Sequence, residues 1–278
     1  MADKTWLGGD SAGENSANVA ANWSPSGVPS GSDNVYFNHR STTSLTADLG
    51  TLAAVTGELH VDAGFTKQIG NSTGLTYFEM KPSVVHFSGV NTALIDLKAS
   101  TGIVNITNTA QASFGLAGLN LLGSALTRIN MQNGNVGLAT NPGQTSTVAE
   151  IEMLRTGVLV LGEGATWTNA MIYGGTVTAV NGTTNSVVNL YNGTFSAGEN
   201  YALKELNTFG GISFLQGSGT AKSITMRGGT VDTLHSGTPR TVTDLTLHSG
   251  SFHYDSTVVT LTNFNGAGRP VTLTVDEK

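Results

Sequence analysis

The 278-residue chain contains no cysteine. That excludes a disulfide scaffold and any cysteine-ligated zinc or iron–sulfur site. It fits assembly in a reducing cytoplasm, although many secreted repeat proteins lack cysteine too. Charge is scarce. Asp, Glu, Lys and Arg make up 12% of the residues, about half the share of an ordinary soluble domain. A disordered chain would need high charge and low hydrophobicity. The residues that build coiled coils and bundles (Ala, Glu, Lys, Leu, Arg) do not dominate. The formal charge of −6 gives no general attraction to phosphate backbones, so no nucleic-acid partner is expected. No run approaches the roughly 18 apolar residues of a membrane span. Met1 to Trp6 lacks the basic and then apolar pattern of a signal peptide. Neither a membrane partner nor a leader is expected. What is abundant is glycine, 36 residues, and threonine, 39 residues. The glycines have no three-residue period, which excludes collagen. Thr and Val suit strands, and Gly and Asn suit corners, so the chain reads as all-β.

An internal repeat sharpens this reading. From about residue 150, an alternating apolar segment runs into a glycine and a second such segment leaves it. Copies include Met171-Ile172-Tyr173-Gly174-Gly175-Thr176-Val177 and Ile224-Thr225-Met226-Arg227-Gly228-Gly229-Thr230-Val231. The marked glycines are Gly157, Gly175, Gly193, Gly211, Gly229 and Gly250, spaced by 18 residues four times and then by 21. An apolar side chain follows two positions later in five copies (Leu159, Val177, Phe195, Val231, Phe252). The Gly211 copy reads as slipped by one, to Ile212 and Phe214. A unit this short cannot bury its own apolar side chains and must stack on its neighbours. The expectation is a parallel β-helix, a β-solenoid, with the marked glycines taking positive φ at structural corners. Variable turn length favours the right-handed form. The 18-residue spacing, three hexapeptides, leaves a left-handed form as the alternative.

Residues 50–150 read as longer, less regular turns of the same solenoid, with alternating strands near 57–61, 76–80, 84–87, 94–97 and 103–106 and a corner at Gly134. Ala110 to Leu126 is ambiguous, but Gly115, Gly118 and Gly123 argue against a helix. Residues 140–144 read as a loop leaving one corner. The expected division is a capping and attachment segment at 1–48 and a solenoid domain at 49–278. Trp6 and Trp23 are the candidate cap residues, because an open solenoid end exposes core and unpaired strand edges.

The first forty residues carry Trp6-Leu7-Gly8, Ala21-Asn22-Trp23-Ser24-Pro25, Gly27-Val28-Pro29 and Asp33-Asn34-Val35-Tyr36-Phe37. Together with the later Gly-Gly-Thr-Val corners, this pattern resembles the opening segment of bacterial and phage parallel β-helix proteins of the autotransporter-adhesin-like kind. The resemblance implies a non-enzymatic phage virion protein: a capsid decoration protein, head fibre or spike, assembled in the host cytoplasm and carried on the virion. Its implied partners are capsid or other virion proteins and host surface glycan. A receptor-binding tailspike with glycan-binding or depolymerase activity, or a bacterial surface adhesin, are the alternatives. The resemblance brings no catalytic residues.

Candidate chemistry is sparse. Glycan cleavage would need two carboxylates about 5–9 Å apart. The acids after Gly157 are Glu163, Glu199, Glu205, Asp232, Asp244, Asp255, Asp276 and Glu277, and none shares an offset from its glycine with a neighbour. The histidines are His39, His60, His86, His235, His248 and His253, and they read as surface strand positions. Asp10, Glu14 and Asp33 lack a calcium-loop pattern. Arg227, Arg240 and Arg269 are too scattered for a phosphate groove. No catalytic, cofactor-binding or metal-binding residue is therefore expected, and no cofactor. Aromatics near the corners (Tyr173, Tyr191, Phe209, Tyr254) on a flat solenoid side point to a homotrimer.

Overall fold

A computed structural model describes residues 1–9, 14–89, 92–109, 118–181, 186–234, 239–266 and 272–275, with backbone alone described at 181, 199, 200 and 272–275. Among these residues the chain is strand and turn, apart from one 3-10 turn at Ala20–Asn22. Parallel coils stack into a β-solenoid. One ladder, called A, begins with Asp3–Trp6, Asn34–Phe37, Leu59–Val61, Val84–Phe87 and Ile103–Ile106. It continues through residues 128–131, 150–153, 169–172, 187–190, 205–208, 223–226, 244–247 and 263–266. A second ladder, B, includes Ala93–Asp96, Asn135–Leu138, Val158–Leu161, Ile212–Leu215 and Thr272–Val275. A third strip joins residues such as Val148 and Trp167, or Ala221 and Val242. Ladder A crosses residue 48 without a break, so residues 1–48 contribute its first two strands.

Period-two alternation sends every second side chain inward. On ladder A the inward positions form columns. One holds Phe37, Val61, Phe87, Ile106, Met131, Met153, Ile172, Leu190, Met226 and Leu247, all buried. Each coil alone leaves these groups wet, and stacking hides them at about 25 cal/mol per Å². At the N-terminal end Trp6 and Trp23 are both buried, with ring centroids 5.1 Å apart at 68°. Trp23–Ser24 pairs antiparallel with Asp3–Trp6 and so covers the first strand's free edge. Both indole N–H groups donate to backbone carbonyls, Trp6 to Thr43 at 3.0 Å and Trp23 to Ala17 at 2.9 Å. At the far end, Phe264 continues an inward column after Leu245 but is 49% exposed.

The corners show why glycine recurs. Gly175, Gly193, Gly211, Gly229 and Gly250 have φ of 73°, 85°, 71°, 79° and 101°. Each also lies directly over the corner before it. A Cβ on Gly193 would sit 2.4 Å from the Gly175 carbonyl oxygen, and one on Gly211 2.5 Å from that of Gly193. Gly157 departs from the expectation, because its φ is not in the left-handed region. A Cβ there would meet the end of the Met131 side chain at 2.5 Å, so close packing and not φ favours glycine. The expected slip after Gly211 is also corrected. Ser213, not Ile212 or Phe214, is in register with Phe195 and Val231 and is buried. The register is constant, and a serine occupies an inward site.

The segment 118–126 is extended and joins the strand Leu119–Met131; residues 110–117 lie outside the described residues.

Candidate functional site

Three outward features bring chemistry-bearing side chains together. The first is a column beside the regular corners. Tyr173, Tyr191 and Phe209 are each 40% exposed and stack with centroids 4.7 and 4.8 Å apart at 11° and 8°. Arg227 closes the stack, its guanidinium carbon 5.5 Å from the Phe209 ring centre. Leu154 leads into the column, and Ile212 stands exposed just past the Gly211 corner. Because the rings face one another, the column offers edges, not faces, to a partner. Tyr254 does not belong to it. That ring tilts against Phe252 at 5.7 Å and packs on the core.

The second feature is a shallow cleft on ladder B, lined by Asp96, Lys98, Leu122, Ser124, Gln144 and Thr145. Lys98 bridges Glu79 at 2.7 Å and Asp96 at 2.8 Å. Burial opposes the ammonium charge, but hydrogen bonds to Asp96 and Glu79 outweigh it and hold Lys98 above its ordinary pKa. Glu79 and Asp96 are directly in register on adjacent rungs. This carboxylate pair lies before Gly157, where coil length varies and no fixed offset from a corner marks it. The lysine between them makes an ion triad that keeps one net negative charge. Gln144, from the 140–144 loop, donates to the Tyr77 hydroxyl at 2.9 Å and forms one wall.

The third feature is an outward column on ladder A near the N-terminal end. Tyr36, His60 and His86 are in register on successive rungs. Their rings stack at 4.5 Å and 10°, then 4.8 Å and 18°. Glu58 lies two residues before His60, on the same face, and accepts a hydrogen bond from His60 Nε2 at 2.9 Å. Burial, then the negative charges of Asp3 and Glu58, raise the Tyr36 pKa. Further along, the same column carries asparagines that bond across rungs, Asn130 to Asn105 at 2.9 Å and Asn207 to Asn189 at 3.1 Å. His60 and His86 stand 26 residues apart in sequence, so only the rung register brings them together.

The remaining sequence candidates disperse. Asp244 accepts from Asn263, Asp255 caps its own turn at Thr257, and Asp232 binds the Leu234 amide. Asp232 is in register with Phe214 and His253, not with another acid. Glu163 is exposed and Glu205 half-buried; the Glu199 side chain is not described. His39 is exposed, and His248 and His253 are half-buried on either side of the Gly250 corner. Asp33 ties down the chain start by accepting from the Ala2 amide at 2.8 Å, while Glu14 is exposed. Asp10, His235, Arg269, Asp276 and Glu277 lie outside the described residues.

Arg240 is not at the surface. It is 2% exposed, in an inward column two rungs from Tyr201, with Gly219 between them. A Cβ on Gly219 would sit 2.0 Å from the Tyr201 carbonyl oxygen, and the Arg240 guanidinium carbon lies 5.9 Å from the Tyr201 ring centre. Burial depresses the Arg240 pKa and raises that of Tyr201.

No helix among the described residues is long and apolar enough to cross a membrane. Comparisons with protein-family models, with curated proteins and with solved structures found no match.

Proposed function

We propose that this chain is a non-enzymatic structural protein of a phage particle, a capsid decoration protein, head fibre or spike. In this reading it docks through residues 1–48 and projects the solenoid outward. The observation that carries the reading is the unbroken parallel ladder from Asp3–Trp6 to Val259–Gly266, with one continuous apolar core. Such a stack transmits shape over its whole length, because each rung is held on both sides. The resemblance of the first forty residues to phage and bacterial β-helix proteins supplies the virion context. The test is to mix purified protein with phage particles that lack it and image them by cryo-electron microscopy. Rod-shaped density on the capsid or tail supports the reading; absence of any binding sinks it.

The proposed assembly is a homotrimer about an axis parallel to the ladder. The stripe of Leu154, Tyr173, Tyr191, Phe209 and Ile212 supports it. Its ring faces are already covered, so it suits burial against another surface better than stacking on sugar rings. Light scattering during size-exclusion chromatography should give three times the chain mass, and Tyr191→Asp should return the monomer. A strict monomer for the wild-type protein at micromolar concentration would refute the trimer.

A receptor-binding tailspike remains the second reading, favoured by the polar cleft at Asp96, Lys98 and Gln144. New reducing ends released from host polysaccharide would select it.

A further inference from the structure

We propose that Glu58, His60 and His86 form a site for a divalent transition-metal ion, with Zn²⁺ as its simplest occupant. This goes beyond the structural role above and departs from the sequence expectation of no metal. One ligand atom from each of the three residues can be chosen so that all lie within 4.8 Å of one another. Donors around a tetrahedral zinc stand roughly 3.3 Å apart, given metal–ligand bonds of about 2.0–2.2 Å. The gap is a matter of side-chain rotation, not backbone movement. His86 is exposed, and Glu58 and His60 are only half-buried, so rotation meets little resistance.

The donor set is two imidazoles and one carboxylate. That combination suits borderline ions such as Zn²⁺, Co²⁺ or Ni²⁺ better than Ca²⁺ or Mg²⁺, which want oxygen alone. The placement is fixed by the fold. Glu58 immediately precedes the strand Leu59–Val61, and its carboxylate reaches His60 Nε2 at 2.9 Å. His86 is directly in register with His60 on the next rung. In the present geometry the two rings are nearly parallel, and a lone pair lies in the plane of its ring. Binding therefore requires the rings to leave their stack and His60 to give up its hydrogen bond to Glu58. The carboxylate then becomes a ligand, and water fills the open position. The ion would clamp Leu59–Val61 to Val84–Phe87.

The experiment is calorimetric titration of the full chain with Zn²⁺, repeated with Co²⁺ to read its visible absorption. One ion per chain with micromolar affinity is expected, with Co²⁺ bands typical of imidazole ligation. His60→Asn and His86→Asn should each weaken binding by at least about tenfold. Asparagine already occupies this column at Asn105 and Asn130, so the ladder accepts it. His248→Asn should change nothing. The proposal is overturned if no saturable binding appears up to about 1 mM, or if the double histidine variant binds as the wild type does. Should either histidine variant misfold, Glu58→Gln decides. It keeps a hydrogen-bond acceptor for His60 but removes the anionic ligand, and unchanged affinity there refutes the site.

Discussion

The two halves of ladder A turn their corners with different residues. In the first half, left-handed backbone falls on Asp48, Leu75, Lys98 and Ala139, with φ of 53°, 49°, 49° and 49°, as well as on glycines. From residue 150 onward, among the described residues, it falls on glycine alone. Coil length explains the difference. Successive residues of the inward column from Val35 to Ile151 are 24, 26, 19, 25 and 22 residues apart. From Ile151 to Leu245 the steps are 19, 18, 18, 18 and 21. Coils of equal length put like corners over like corners, and the backbone of one rung fills the space a Cβ would need. Unequal coils offset some of their corners, and there side chains such as Asp48, Leu75, Lys98 and Ala139 are accepted. Glycine is thus required twice over at Gly175, Gly193, Gly211, Gly229 and Gly250, by φ and by contact. The looser half is mixed: a Cβ on Gly31 or Gly143, both at positive φ, would meet nothing within 4 Å, whereas one on Gly70 or Gly134 would sit 2.8 Å from the Leu94 carbonyl oxygen or 2.4 Å from the Thr109 nitrogen.

The largest expected effect follows directly. Gly193→Ala incurs the left-handed cost of about 1–2 kcal/mol and forces the rungs apart, because its Cβ would sit 2.4 Å from the Gly175 carbonyl oxygen. Overpacking of this kind adds about 1–3 kcal/mol. The expected loss is about 3 kcal/mol or more, read from denaturant midpoints. Gly143→Ala should cost only about 1 kcal/mol, since φ is its one obstacle. Gly157→Ala should fall between, with a flexible Met131 terminus as the obstacle and no φ term. Equal losses at Gly193 and Gly143 would remove contact from the explanation.

The regular half also buries two inward hydroxyls. Thr208 and Ser213, both inward in the regular half, have hydroxyls without a hydrogen-bond partner. A buried unsatisfied hydroxyl costs about 1–3 kcal/mol. Thr208→Val keeps the shape and removes the orphan oxygen, so it should stabilise the fold by about 1 kcal/mol. Ser213→Ala should act in the same direction. A loss of stability in both variants would mean that these oxygens are satisfied in solution.

A third test uses pH. Burial raises the Tyr201 pKa above its ordinary value of 10.0, against the opposing charge of Arg240. Above about pH 10 the unfolded chain has lost this proton while the folded chain retains it. Stability therefore falls as pH rises past that point. Tyr36 contributes a similar slope from the N-terminal half. Melting from pH 8 to 11 should show a shallower decline for Tyr201→Phe than for the wild type. Identical slopes would place the Tyr201 hydroxyl in contact with solvent.

Periodicity made the solenoid and its regular corners legible, because the 18-residue beat writes the stacking into the sequence. It also placed the N-terminal half's strands within a residue or two, through simple alternation. What stayed hidden depends on which rungs are neighbours. Glu79 and Asp96, or His60 and His86, meet only because unequal coils bring them into register, and no fixed period encodes those offsets. Ser213 misled for the opposite reason. A polar residue at an inward position looked like a slipped apolar pattern, whereas the backbone ladder on both sides held the register. The Tyr173 column was visible as aromatics near corners, but Tyr254 was not separable from it without knowing that its ring leans on Phe252.

The smallest expected effect inverts the first substitution. Ala139 is buried at φ 49°, in the half where corners are offset. Ala139→Gly relieves about 1–2 kcal/mol of left-handed strain. Against this stand the extra backbone freedom of glycine in the unfolded chain, roughly 0.5–1 kcal/mol, and the loss of one buried methyl, about 0.8 kcal/mol. The terms nearly cancel, so the midpoint should move by no more than about 0.5 kcal/mol. The same two residue types exchanged at Gly193 in the other direction should move it several times further. If Ala139→Gly costs as much as Gly193→Ala, both substitutions are reporting side-chain packing. If it is near neutral while Gly193→Ala is not, the backbone stacked against the corner makes glycine indispensable at Gly193, and left-handed φ alone does not demand it at Ala139.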